Sequence, residues 1–194
     1  VSVKQTFVVG LKIKVFAFFN YFCYNKEVTE SDPFIFHLGG FSMIQNLNQI
    51  NFQIFGNIVP SREKALAYAR SFDWPAHQEA LRAFLGKGAE SMIAQEAKEQ
   101  KYNIEKHHAR LEKILANWEE IRKIAAEELP SAAELEALME RLGAPMTPAD
   151  LGVDPAILPM TFRATKDIRD KYVLSRLLWD LGLLKKVCAS LEEK

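Results

Sequence analysis

The chain has 194 residues, 25 basic and 25 acidic side chains, and a formal net charge of zero. Its hydrophobic fraction of 48% and charged fraction of 26% are typical of a globular protein and exclude collagen-like, low-complexity and wholly disordered chains. Zero net charge argues against general nucleic-acid binding. Two cysteines are too few for a disulfide scaffold and favour a reduced, cytoplasmic setting.

The composition changes abruptly near Pro60. Residues 1–60 contain ten of the 13 Phe, six of the eight Asn and one Ala, whereas residues 61–194 contain 21 Ala and all of the Arg. This change predicts two parts: a Phe/Asn-rich leader over residues 1–60 and a helical domain over residues 61–194. Either two domains meet near Pro60, or two segments of different origin are joined there.

The leader combines an apolar run with two segments of weak strand character. Lys12 and Lys14 interrupt the run and no small-x-small cleavage site follows it, so we expect neither a membrane span nor a signal peptide. Residues 33–40 and 51–59 are predicted as short strands. Because isolated hairpins are marginally stable in water, we expect either a weak sheet packed on the helices or poor order.

Capping signals predict the helices of the second part. Ser, Asp and Asn favour the N-cap position, Pro fits the first turn, and Gly favours the C-terminal end. These signals delimit helices over residues 62–69, 74–85 and 89–100, and a capping box opens another, because Glu134 follows Ser131 by three residues. The predicted N-caps are Ser61, Asp73, Asn103 and Ser131, and the predicted C-terminal stops are Gly86, Gly143 and Gly182.

An apolar stripe with three- and four-residue spacing predicts one long helix of about 25 residues, from Asn103 to Pro130. A short turn is expected at Thr147–Asp150, and Asp154–Pro155 is predicted to open the last helical region. Within that region, residues 160–181 are compatible with one helix or two. The fold class is therefore predicted as mainly α, a multi-helix bundle preceded by the leader. The predicted stripe comprises Ile104, His108, Leu111, Leu115, Trp118, Ile121, Ala125 and Leu129.

The histidines give little indication of catalysis or metal binding. His107 and His108 are adjacent and so point about 100° apart on a helix, whereas paired metal ligands are spaced by three or four residues. Glu105 and Glu112 stand at suitable offsets from His108, but the stripe places His108 partly on the apolar face, so we interpret it as a structural histidine. His77 is predicted in the first turn of a helix and His37 in a strand-like segment. Neither has a paired acid or nucleophile at a recognised spacing.

The densest charge lies over residues 166–172. Arg169 could clamp a phosphate or a carboxylate, but the favoured interpretation is a solvated helix face with a Lys166–Asp170 pair. Trp74 and Trp118 are interpreted as core residues. No phosphate-binding loop, nucleophile elbow, Cys-x-x-Cys pair or dinucleotide fingerprint occurs, so no catalytic, cofactor-binding or metal-binding residue is assigned.

Three runs of the second part carry a resemblance to a known family: Ala65–Pro75, Leu129–Leu138 followed by Leu142–Pro145, and Ile168–Tyr172 followed by Leu177–Leu184. They resemble bacterial glycerol-1-phosphate dehydrogenases, which belong with the iron-containing alcohol dehydrogenase-like enzymes. The resemblance covers about residues 61–191 and includes no catalytic motif.

The resemblance implies the C-terminal helical part of an enzyme whose N-terminal domain binds a dinucleotide. The family interconverts dihydroxyacetone phosphate and glycerol 1-phosphate with NAD(P) and a divalent metal held by one Asp and two His, and these motifs lie upstream of the part that this chain resembles. His37 is followed by Leu38 rather than by the family's Gly, so no family site residue is carried over.

We therefore expect a terminal helical piece of such an oxidoreductase with an unrelated leader, inactive alone and binding neither NAD(P) nor metal by itself. The substrate class implied is a small phosphate ester. The alternative from a different class is a non-catalytic helical interaction module that self-associates through exposed apolar surface.

Overall fold

The computed structural model describes residues 59–128, 131–143, 146–168 and 172–190. Over these residues the protein is mainly helical, as predicted, and contains no strand. The apolar run, the predicted strand over residues 33–40 and residues 51–58 of the other predicted strand lie outside the described part. The α-helices are α1 (Arg62–Arg70), α2 (Trp74–Leu85), α3 (Gly88–Glu99), α4 (Ile104–Ala116), α5 (Trp118–Glu128), α6 (Ala132–Leu142), α7 (Leu158–Thr165), α8 (Leu174–Asp180) and α9 (Leu184–Ala189).

The predicted N-caps are confirmed. Side-chain oxygens of Ser61, Asp73 and Asn103 each accept a hydrogen bond from a backbone N–H three residues later, at 3.3, 2.9 and 2.9 Å. Ser131 and Glu134 form the predicted capping box, in which each side chain bonds the other residue's backbone N–H. Local sequence therefore determines where these helices begin, because each cap satisfies donors that would otherwise lack partners.

The single long helix predicted after Asn103 is wrong, because α4 ends at Ala116 and α5 begins at Trp118. Asn117 has φ −119° and ψ 18°, outside helical geometry. Its side-chain Nδ2 donates to the Lys113 carbonyl at 2.8 Å. An Asn side chain competes with the helical backbone for hydrogen bonds, which explains an interruption that hydrophobic spacing alone does not show.

The chain divides into two compact units. Unit A contains residues 59–117 and the described residues of 162–194; unit B contains the described residues of 118–161. In unit A, α8 packs against α1, α4 and α9, while α1 packs on α4 and α2 on α3. Two short 3-10 turns, Pro148–Leu151 and Pro155–Ile157, lie in unit B. None of the described helices is long and apolar enough to span a membrane.

The core of unit A requires a close backbone approach at Gly182. This residue has φ +73°, and a Cβ placed on it would lie 3.2 Å from Cβ of Tyr68 and 3.3 Å from Cα of Ala65. A side chain would therefore press against α1 as well as strain the backbone. The buried apolar residues of the unit include Ala65, Ala69, Leu81, Leu111, Ile114, Phe162, Leu178, Trp179 and Leu184.

Unit B is built on the apolar face of α5 and on a smaller cluster. Trp118, Ile121 and Ile124 of α5 are buried at three-residue spacing, as expected for one helix face. Val153 and Leu158 form a separate buried pair with Ile157 packed against it.

Candidate functional site

The most unusual feature of unit A is a buried carboxylate with four polar partners, here called the Asp167 cluster. The Oδ1 atom of Asp167 accepts hydrogen bonds from the Tyr102 hydroxyl at 2.5 Å and from Nη2 of Arg176 at 3.1 Å. Its Oδ2 atom lies 2.6 Å from Nζ of Lys166 and 2.8 Å from Nε2 of His77. The side chains of His77, Lys166 and Asp167 are 4, 0 and 1% exposed.

Capping of α2 places His77 in this cluster. Asp73 caps the helix and Pro75 occupies its first turn, which fixes the direction in which the helix begins. His77 and Leu81, four residues apart, are the buried residues of α2 and therefore share its inner face. The histidine that the sequence left without a partner thus meets Asp167, a residue 90 positions away.

The short helix α8 brings Arg176 into the interior. Ser175, Arg176, Leu177, Leu178, Trp179 and Asp180 are all buried, so this helix has no polar outer face. The sequence contains a signal for this arrangement. Leu177, Leu178 and Trp179 are consecutive, so their side chains point in three directions around a short helix and no side of it is wholly polar. Charged residues on such a helix must be paired inside the protein, because an unpaired buried charge is costly.

The electrostatics of the Asp167 cluster follow from burial and charge pairing. Burial alone would raise the pKa of Asp167, but Lys166, His77 and Arg176 outweigh it and hold the pKa well below its usual range. Burial lowers the pKa of Lys166 to about 8 despite the neighbouring carboxylate. Burial also lowers the pKa of His77, so the ring is neutral at pH 7. Asp167 is therefore the fixed negative charge of the cluster.

Aromatic rings enclose the cations. The Arg176 guanidinium lies 4.5 Å from the ring centroid of Tyr102, and Nζ of Lys166 lies 5.4 Å from it. The Tyr102 ring also stacks on Phe72, with centroids 4.4 Å apart, and lies against Trp74 at 4.9 Å. Cation–π contacts of this kind partly compensate for the lost hydration of buried cations.

A second buried carboxylate, Asp180, forms a separate cluster nearby in unit A. Arg110 binds it as a fork, with Nη2 2.9 Å from Oδ1 and Nε 3.2 Å from Oδ2. The Tyr172 hydroxyl donates to Oδ2 at 2.8 Å, and Nε2 of His107 donates to the Asp180 backbone carbonyl at 2.9 Å. Burial and the Asp180 charge raise the pKa of Tyr172 well above its usual value, so the hydroxyl keeps its proton.

The predicted register of the histidine pair is wrong. His107, not His108, lies on the buried face of α4 with Leu111 and Ile114, whereas the His108 side chain is 56% exposed. Ile104, which the predicted stripe included, is also on the exposed side. The structural role expected of one histidine is therefore filled by its neighbour, whose ring bonds a backbone carbonyl. His37 lies outside the described residues.

The solvated face predicted around Lys166 is also wrong. Lys166 and Asp167 are buried, because they leave the end of α7 toward the interior instead of continuing an exposed helix. Arg169 and Asp170, the other members of that predicted face, lie outside the described residues. Of the two tryptophans predicted as core, Trp118 is 6% exposed and Trp74 is half-buried against Tyr102.

The chemistry available to these clusters is limited by their own bonds. The described residues contain no group of three or more His, Cys, Asp or Glu side chains arranged to hold a metal ion. His77 and His107 each use Nε2 within the protein. The hydrogen-bond contacts of His77 join it to an acid and an amine. Such a pairing can exchange protons but includes no hydroxyl or thiol nucleophile.

Comparisons of this chain with protein-family models, with curated proteins and with solved structures found no significant match. The resemblance to glycerol-1-phosphate dehydrogenases therefore stays a prediction from the sequence.

Proposed function

We propose that this chain is the helical, non-catalytic part of an oxidoreductase that interconverts dihydroxyacetone phosphate and sn-glycerol 1-phosphate with NAD(P) and a divalent metal, and that it is inactive alone. The starting point is the resemblance of residues 61–191 to bacterial glycerol-1-phosphate dehydrogenases. On this proposal the protein works in the cytoplasm, and its substrate is a small phosphate ester.

One observation carries the proposal: two separate runs of the resemblance pack against each other. Trp179 belongs to the C-terminal run, and its ring lies 5.3 Å from that of Phe72 and 6.0 Å from that of Tyr68, both in the first run. Gly182 of the C-terminal run approaches Tyr68 as well. Two distant segments with the same likeness therefore share one core, which is the arrangement expected if both belong to one inherited helical domain.

The geometry favours a structural role for this unit. Each carboxylate oxygen of Asp167 has two polar partners inside the protein, and the side chains concerned come from α2, from the connection between α3 and α4, from the end of α7 and from α8. Such a cluster joins helices and leaves no carboxylate oxygen for a substrate. Catalysis is therefore assigned to the dinucleotide-binding domain of the complete enzyme.

The described residues do not fit the family's metal. Its ligand set of one Asp and two His must converge on a common point, whereas no three His, Cys, Asp or Glu side chains of the described residues are arranged in this way. Residues of this chain therefore have no part in the proposed chemical step. NAD(P) and the metal are assigned to segments that the resemblance does not include.

A transplantation experiment tests the proposal. Residues 61–190 would replace the corresponding helical part of a bacterial glycerol-1-phosphate dehydrogenase, and NADH oxidation with dihydroxyacetone phosphate and a divalent metal would be measured. We expect turnover by the chimera, none by the same enzyme truncated before its helical part, and none by this chain alone. A chimera that folds by circular dichroism and binds NADH but does not turn over would contradict the proposal, as would turnover by this chain alone.

One observation favours a second candidate, a helical interaction module. Leu142 at the end of α6 is 72% exposed, and Leu138 and Met139 on the same helix are half-buried. This candidate predicts concentration-dependent self-association in light scattering, abolished by Leu142→Glu and retained by the neighbouring exposed control Arg141→Glu. A monodisperse wild-type chain would count against it.

A further inference from the structure

Three atoms of the Asp167 cluster form a closed triangle of short contacts. Nζ of Lys166 lies 2.6 Å from Oδ2 of Asp167 and 2.8 Å from Nε2 of His77, and Nε2 lies 2.8 Å from Oδ2. Each of these distances is short enough for a hydrogen bond.

The triangle cannot have all three hydrogen bonds with a charged lysine. A neutral histidine ring carries one proton, on either Nδ1 or Nε2. Without a proton, Nε2 accepts from the Lys166 ammonium but has nothing to donate to Asp167. With a proton, Nε2 donates to Asp167, but the ammonium hydrogens of Lys166 then have no lone pair to meet on that nitrogen. The three distances therefore fit two protonation forms of the triangle, one with the His77 ring proton on Nδ1 and one with it on Nε2.

We propose that His77 changes its ring tautomer when Lys166 loses its proton. In the charged form, Lys166 donates to both Asp167 and Nε2 of His77, and the ring proton is on Nδ1. In the neutral form, the ring proton is on Nε2 and donates to Asp167, and the Lys166 amine donates its own N–H to the same carboxylate. One proton passes from Lys166 to solvent during local opening, and the histidine remains neutral throughout.

The charges around the triangle allow Lys166 to become neutral. Asp167 has two cationic partners, and Arg176 remains bonded to Oδ1 at 3.1 Å when Lys166 is uncharged. The carboxylate is therefore never left unpaired. Burial places the pKa of Lys166 at about 8, within reach of ordinary buffers, and it lowers the pKa of His77, which disfavours an imidazolium ring.

The neighbouring groups do not replace Lys166 as the titrating site near pH 8. Tyr102 has a pKa raised well above its usual value by burial and by Asp167, so its hydroxyl keeps its proton. Arg163 and Arg176 stay charged, and both lower the pKa of Lys166. Within the described part of the chain, the charged and titratable groups around the triangle are Glu96 of α3, Tyr102 between α3 and α4, Arg163 of α7 and Arg176 of α8.

The connection between α2 and the segment after α7 therefore persists whether Lys166 is charged or neutral. The first turn of α2 is joined to the segment after α7 through Lys166 in the charged form and by a direct His77–Asp167 bond in the neutral form. The donor changes while the helices stay connected.

The test is a pH titration of the histidine ring nitrogens by ¹⁵N NMR on the full chain, from pH 6 to pH 10. We expect Nε2 of His77 to pass from an unprotonated to a protonated nitrogen with a midpoint near pH 8, together with the Lys166 side-chain signal. His107 is the internal control, because its Nε2 donates to a carbonyl and must stay protonated at every pH. A His77 ring that keeps one tautomer across this range would overturn the proposal, as would conversion to a charged ring.

A variant provides an independent check. Lys166→Met removes the donor to Nε2 and should hold His77 in the Nε2-protonated form from pH 6 to pH 10. A variant ring that still changes tautomer near pH 8 would show that Lys166 is not the cause. The wild-type titration decides the proposal by itself if this variant does not fold.

Discussion

Nε2 of His77 lies 2.8 Å from Oδ2 of Asp167, which joins the first turn of α2 to the segment that follows α7. These residues are 90 positions apart, and both side chains are almost fully buried. The contact therefore depends on the folded unit as a whole. We interpret the Asp167 cluster as a structural junction of unit A.

The stability of the protein should rise with pH between about 8 and 10.5 through Lys166. Its folded-state pKa is about 8 and its unfolded value is 10.5. Between these values the unfolded chain holds a proton that the folded chain lacks, so raising the pH favours the folded state. The gain is on the order of 3 kcal/mol over the interval.

This gain is measured as a difference between variants in urea denaturation at pH 7.5 and pH 10.5. Wild type should become more stable relative to Lys166→Met as the pH rises, while the exposed control Lys113→Met should follow wild type at both pH values. A constant difference between wild type and Lys166→Met would contradict the lowered pKa.

Gly182→Ala should destabilise the protein more than a glycine substitution in open space. The added Cβ is strained at φ +73° and meets Tyr68 and Ala65 of α1 at 3.2 and 3.3 Å. Gly143→Ala has a similar φ, +60°, with nothing within 4 Å, so it carries only the backbone cost of roughly 1 kcal/mol. We expect a loss of roughly 2–4 kcal/mol for Gly182→Ala by urea denaturation. Equal losses of unfolding free energy for the two variants would show that the backbone at Gly182 does not pack tightly against α1.

Arg110→Lys should destabilise unit A although it conserves the charge. Arg110 donates to both oxygens of Asp180 and, at 2.6 Å, to the Lys101 carbonyl. A lysine has a single nitrogen and cannot reproduce this fork. The expected loss is about 1–3 kcal/mol. Arg62→Lys is the control, because its pair with Glu112 is largely exposed and should matter little. Equal thermal midpoints for the two variants would argue against the fork.

The features that the sequence predicts correctly depend on interactions between residues close together in the chain. Ser61, Asp73, Asn103 and Ser131 were correctly identified as N-caps, because a cap is a hydrogen bond over two or three positions. The break at Asn117 was missed, since hydrophobic spacing continues through it. The mainly α fold class followed from these local signals.

The clusters could not be predicted in the same way, because they depend on which helices meet. Lys166 and Asp167 look like part of a solvated, alternating charge run, and only the packing of α2 and α8 shows that they are buried. His107 and His108 differ by one position, and that single step in register decided which ring entered the core. The apolar run after Arg176 was the one sequence signal of a helix buried on all sides.

The most direct test of a structural role for the Asp167 cluster is the free energy of unfolding of Asp167→Asn, measured in urea at pH 7. The substitution leaves Lys166 and Arg176 buried without their carboxylate, and removing one partner of a buried ion pair typically costs about 3–5 kcal/mol. The exposed control Glu79→Gln should stay within about 0.5 kcal/mol of wild type. We predict a loss of at least 3 kcal/mol for Asp167→Asn, about the lower end of that range; a loss no larger than that of the control would contradict the structural role.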